Sequence, residues 1–260
     1  MSGPAFEVVC EIEPPTKPDL RHVRHQIGVF SPVASAFLIP DNHIGRATVS
    51  SIAVAHEVEA MGGRSIACLN ARDRNLLGFR RDLLTAAAYG VDQFLFVYGD
   101  KPATGNRTSE LTVRTMIEEA RTFTSEPIFG GSAPLRIGVS AAGRGFPEWK
   151  READFVFLQV GFSVEEQVRW REGVLIDGPV YAGVMVLPSV GMARRLAASI
   201  PDISIPDSLV ERIAANPDHA GAEAACQQVL ALRDSGAFDG VHLVPVSRYR
   251  EVAARLEGAL

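Results

Sequence analysis

Several scarcities narrow what this 260-residue chain can be. It has only three cysteines, Cys10, Cys68 and Cys226. They are odd in number, far apart and set among apolar residues, with no further cysteine or histidine at metal-ligand spacing. They are expected to be reduced, buried small hydrophobes in a cytoplasmic protein, and no metal site is expected. Aromatic residues make up 7% of the chain, no basic block occurs, and the net charge is −5. A nucleic-acid partner is therefore not expected. No apolar run approaches the roughly 20 residues that span a bilayer. The opening "MSGPAFEVVCEIEPP" lacks a charged segment followed by an apolar one. Neither a membrane partner nor a signal peptide is expected. There is also no linker and no low-complexity tract, so residues 1–260 read as a single domain.

What is present is an unbroken alternation. Apolar runs recur as "FEVVCEI", "ASAFLIP", "RSIACLN", "QFLFVYG", "LRIGVSA", "DFVFLQV", "PVYAGVMV" and "GVHLVPV". Each is nearly continuous, as a strand buried on both faces requires. Helical patterns lie between most of them. In 108–123 the residues Val113, Met116, Ile117 and Ala120 form one apolar stripe at helical spacing. Residues 46–61 and 74–89 behave similarly, with Gly62–Gly63 and Gly90 where helix C-caps are wanted. The link before the sixth run is short and irregular. The link before the eighth is long, with helical candidates at 189–199, 206–215 and 219–235. Eight βα units in this length predict an α/β fold, a TIM (β/α)8 barrel. A doubly wound open sheet is the alternative. A Rossmann domain is not expected, because no Gly-x-Gly-x-x-Gly follows the first strand.

A barrel of this kind places its site at the C-terminal ends of the strands. Polar residues there are Glu11 and Glu13 on strand one, Asp41 and His43 after strand two, and "ARDRN" (71–75) after strand three. Asp100 follows strand four, Gln159 interrupts strand six, and His242 and Arg248 belong to strand eight and its loop. Taken singly, such residues are more often structural. Asp100 or Asn75 could simply cap the next helix, "ARDRN" reads first as a salt-bridged helix start, and Met185 and Met192 read as core. Glu11 is the exception, since a carboxylate inside an apolar strand is costly without a purpose or a partner. Gln159 is a weaker exception of the same sort.

Taken together, "CEIEPP", "CLNARDRN", "VYGDKP", "FLQVGF", "YAGVMVLPS" and "GVHLVPVSR" occur in an order and spacing that resembles the methylenetetrahydrofolate reductase family. The resemblance implies a TIM barrel acting in one-carbon metabolism. It implies Glu11 as general acid and Asp100 facing the pterin. Gln159 becomes a folate contact, and Arg248 lies by the folate tail. There are departures. Members that hold FAD carry His-Leu-Thr-Cys at strand three, Arg-Gly-Asp at strand four and Tyr-Pro-Glu-x-His-Pro after strand five. Here the chain reads "SIACL", has Tyr98 in place of the Arg, and continues as "VSAAGRGFPEW". Met192 and Leu196 stand where a Gln and an aromatic are expected. The folate-facing residues are kept while the FAD site looks dismantled, which resembles the flavin-independent members.

The expected reaction is reduction of 5,10-methylenetetrahydrofolate, with hydride passed directly from NADH or NADPH. The five-membered ring must open to an iminium before hydride adds, and the leaving nitrogen needs a proton. A Glu held among apolar walls is suited to deliver it. Asp100 would stabilise the cation electrostatically. Gln159 can both donate and accept, as a pterin requires. Arg248 would pair with the anionic tail. For the nicotinamide the candidates are Asn70, Arg74 and Tyr98. The alternatives are an FAD-dependent reductase of the same family, a non-catalytic folate-binding or complex-forming subunit, and a barrel for another pterin. The expected partner is the small-molecule folate, with a homo-oligomer left open.

Overall fold

The computed structural model describes residues 5–101, 103–143, 145–200 and 203–260. Eight strands run parallel: β1 (Glu7–Glu11), β2 (Ala36–Ile39), β3 (Ser65–Asn70), β4 (Gln93–Val97), β5 (Arg136–Ala141), β6 (Phe155–Val160), β7 (Val180–Met185) and β8 (Gly240–Val244). Each pairs with its sequence neighbours, and β1 also pairs with β8, so the sheet closes into a barrel. This is the (β/α)8 architecture and not the open sheet.

Among the described residues, nine helices surround the strands: α1 (Arg21–Phe30), α2 (Ser51–Ala60), α3 (Leu76–Ala88), α4 (Val113–Thr124), α5 (Val164–Glu172), α6 (Val190–Ser199), α7 (Asp207–Ala215), α8 (Ala220–Ser235) and α9 (Tyr249–Leu256). Among the described residues between β5 and β6, the helical structure is a 3-10 turn over Glu148–Glu152. The expected stripe holds: Met116, Ile117 and Ala120 of α4 are buried, and Val113 packs against the core. Two helices start later than their patterns. Thr48 and Val49 give their N–H groups to Asn42 and to the Pro15 carbonyl, so α2 begins at Ser51. Thr108 bonds the Arg74 carbonyl, and Thr112 caps α4 four residues on. Asn75 caps α3 by accepting from Gly78 N–H at 2.8 Å.

Alternation along each strand builds two cores. Val8, Cys10, Phe94 and Phe96 point outward and pack with the helices. Val9, Leu38, Cys68, Leu95, Phe155, Phe157 and Tyr181 point inward and fill the barrel. All three cysteines are free and buried. Below this layer, at the N-terminal end of the barrel, Glu7 accepts hydrogen bonds from Tyr181 Oη (2.5 Å) and Arg64 (2.6 Å). Among the described residues no helix is long and apolar enough to cross a membrane, and no group of His, Cys, Asp and Glu could hold a metal ion.

Candidate functional site

Glu11 is the last residue of β1, and the period of two that sends Val9 into the barrel sends Glu11 the same way one layer higher. There its carboxylate meets His242, which β8 turns inward from between the buried Val241 and Leu243. His242 Nε2 lies 3.1 Å from Glu11 Oε2, with side-chain exposures of 12% and 17%. The contact is an ion-pair distance without hydrogen-bond alignment, and among the described residues Nε2 has no hydrogen-bond partner. The edge of Phe157 closes the other side, its ring centre 5.4 Å from the imidazole.

A cavity of about 710 Å³ opens above this pair at the C-terminal end of the barrel, lined by Glu11, Glu13, Lys17, His22 and His43. Ile44, Met185, Met192 and Val246 supply its apolar wall. Met185 and Met192 are thus not simply core: β7 and α6 carry both to the mouth, where each is half-buried. Two wall segments adopt backbone that β-branched residues avoid. Ile44 has φ 57° and Val246 has φ 51°. Such conformations persist where surrounding bonds over-determine them. Asp100 provides one of those bonds, its Oδ2 accepting from Ile44 N–H at 2.9 Å. Asp100 is therefore no helix cap, and it reaches the Glu11 cavity through the loop it holds.

Asn70 and Arg74 lie in a closed network beneath the β2 and β3 loops. Asp41 accepts from the Asn70 backbone at 3.0 Å, from its side chain at 2.8 Å, and from Arg74. Arg74 also bonds Asp82 at 2.8 Å, and Asn70 bonds Asp73 at 3.0 Å. Burial would lower the Arg74 guanidinium, but the charges of Asp41 and Asp82 outweigh it and hold it above its usual range. Tyr98 stands exposed, with the Arg72 guanidinium 4.5 Å from its ring centre.

Gln159, the penultimate residue of β6, lies within an irregularity in the pairing with β7. It is exposed rather than buried inside the strand. A Cβ at Gly183 would lie 2.6 Å from the Leu158 carbonyl oxygen and from Val160 N, so the bulge needs a glycine opposite it. Buried Gln167 fastens this corner, donating to the Gly183 carbonyl and accepting from Gln228, both at 2.8 Å. Gln159 faces a second cavity, of about 710 Å³, with Phe162, Glu166, Arg169 and Trp170. Arg248, at the start of α9, donates to the Pro217 carbonyl at 3.3 Å and lies 3.7 Å from Asp218.

The barrel thus brings Glu11 together with Glu13 and His43, while Asp100, Gln159 and Arg248 stand on other parts of the same mouth. His242 is the partner that residue-by-residue reading left without a role. Its signal was the one that marked Glu11, a polar residue inside an apolar strand.

Residues 149–257, under half of the chain, match the family model of methylenetetrahydrofolate reductase. No curated protein matches the sequence. Among solved structures, the chain is similar to an uncharacterized protein from Clostridium thermocellum that binds two copies of 5-methyl-5,6,7,8-tetrahydrofolic acid. The two are 15% identical with a TM-score of 0.66, over 98% of this chain and 94% of that one. The spore cortex-lytic enzyme SleL of Bacillus cereus is 10% identical with a TM-score of 0.57, over 96% and 74%. EDTA monooxygenase EmoA from Chelativorans sp. BNC1 is 10% identical with a TM-score of 0.56, over 97% and 94%. At these identities the likeness is one of fold.

Proposed function

We propose that this chain, whose residues 149–257 match the methylenetetrahydrofolate reductase family model, is a member of that family that binds a reduced folate at the barrel mouth and reduces 5,10-methylenetetrahydrofolate to 5-methyltetrahydrofolate. The observation that carries the reading is Glu11. It is a carboxyl group at the end of an apolar strand, mostly withdrawn from water, that opens onto a cavity large enough for a substrate. The neighbour from Clostridium thermocellum binds a folate of the product's kind, which supports the same ligand class here.

In this reading Glu11 protonates the folate nitrogen that leaves as the five-membered ring opens. The iminium so formed takes hydride from NADH or NADPH, and Asp100 stabilises its positive charge. Asp100 Oδ2 is held by Ile44 N–H, which leaves Oδ1 for the aminopyrimidine edge. Gln159 presents an exposed amide for the pterin, and Arg248 serves the glutamate tail. At strand three, Asn70 and Arg74 are committed to Asp41, Asp73 and Asp82, so neither stands free to contact a nicotinamide or a flavin, and of the three cofactor candidates Tyr98 is the exposed one.

The test is absorbance at the NADH band, with purified protein, methylenetetrahydrofolate and no added flavin, the visible spectrum being recorded in the same cuvette. Folate-dependent NADH or NADPH loss by a colourless protein is the expected result. Loss with a yellow spectrum would make the protein a flavin enzyme. No loss despite folate binding would make it a non-catalytic folate-binding subunit.

A further inference from the structure

The Glu11–His242 pair carries a step beyond that reading. A buried polar atom without a hydrogen bond is uncommon and calls for an explanation. His242 Nε2 is such an atom, closed off from solvent, with Glu11 Oε2 at 3.1 Å. The groups around it are few. From β1 the residue in register with it is the apolar Val9, the ionisable group that reaches it is Glu11 two residues on, and Glu7 lies at the far end of the barrel against Tyr181. From β7 the residue opposite is Gly183, and from β6 it is the Phe157 edge. Cys68 of β3 feels the Glu11 charge, and burial holds its thiol well above its usual range, so it stays neutral. Glu13, Lys17, Asp19, His22 and His43 line the cavity above.

Resting on the reductase reading, we propose that His242 is a positioning residue that keeps one shared proton on the Glu11–His242 pair. A small rotation of either side chain aligns Nε2 with Oε2. Each turnover consumes one proton. The Glu11 O–H bond breaks as the N–H bond of the opened folate forms, and the electron pair for the new C–H bond comes from the nicotinamide. The pair is then left as a Glu11 carboxylate and a neutral imidazole, and a proton from solvent, reached through the slightly exposed imidazole, restores the shared proton before the next turnover. A lone carboxylic acid loses its proton in mildly acidic water, whereas a carboxylate–imidazole pair retains one up to near neutrality.

The test compares wild type, His242→Gln and Glu11→Gln. His242→Gln is expected to lower kcat about tenfold or more at neutral pH, with both KM values little changed. The deficit should shrink as the pH falls toward 5. A loss uniform across pH, or one confined to KM, overturns the proposal. The second measurement needs no turnover. The His242 ring protons are followed by NMR through a pH titration of the ligand-free protein, and Glu11→Gln is expected to move their midpoint to lower pH. An unmoved midpoint overturns the pair even in an active enzyme. A wild type that binds folate but oxidises neither nicotinamide overturns the reductase reading alone, and the NMR titration still decides the pair.

Discussion

Glu11 shows how much one residue can reveal. Its cost inside an apolar run was visible in the sequence, and the barrel places it above Val9 with 17% of its side chain exposed. Glu11→Gln keeps the shape and one hydrogen-bond acceptor but removes the acid. We expect turnover to fall by about a hundredfold or more while folate affinity, measured by calorimetry, stays within a few-fold of wild type. Retained turnover would remove Glu11 from the chemistry. Other residues were less legible for a common reason. Met185, Met192 and Gln159 have side chains whose burial depends on a strand end or a bulge, and neither leaves a mark in composition. Asn70 and Arg74 looked free because their partner, Asp41, comes from a different loop.

At the scale of elements, the strands were read to within two residues because they are buried on both faces, so each apolar run begins and ends with its strand. Helix starts were read less well. The apolar stripes of α2 and α4 continue into loops whose backbone is claimed by Pro15, Asn42 and Arg74. The β6–β7 corner was not legible at all, since it needs the close approach of Gly183 to Leu158 and Val160. Gly183→Ala sets a methyl against fixed backbone. It should cost about 1–3 kcal/mol in urea unfolding and weaken folate binding through Gln159. Unchanged stability would show that the bulge can relax.

At the scale of the molecule, closure is sealed at the N-terminal end by Glu7, which joins β1 to Tyr181 of β7 and to Arg64 before β3. Burial alone would raise the Glu7 carboxyl. Hydrogen bonds from Tyr181 and Arg64, with the charges of Arg64 and Arg136, outweigh it and hold it below its usual range. Burial and Glu7 together push the Tyr181 hydroxyl up. Because the Glu7 carboxyl is lowered on folding, its stabilisation is complete above the ordinary glutamate range and is lost as the pH falls through the folded value. Glu7→Gln should therefore flatten the fall in stability between about pH 5 and pH 3 and cost about 1–2 kcal/mol at neutral pH. Urea melts across that range check both. The sequence by itself determined the βα alternation, the strand positions and the one carboxylate out of place in an apolar run. These depend on short-range periodicity and on the cost of burying charge. Only the tertiary structure decided that the sheet closes, that Glu11 meets His242, that Asp41 claims Asn70 and Arg74, and that Asp100 holds the Ile44 loop. Each of those joins residues from different strands or loops, and their separation is set by barrel register rather than by any local pattern.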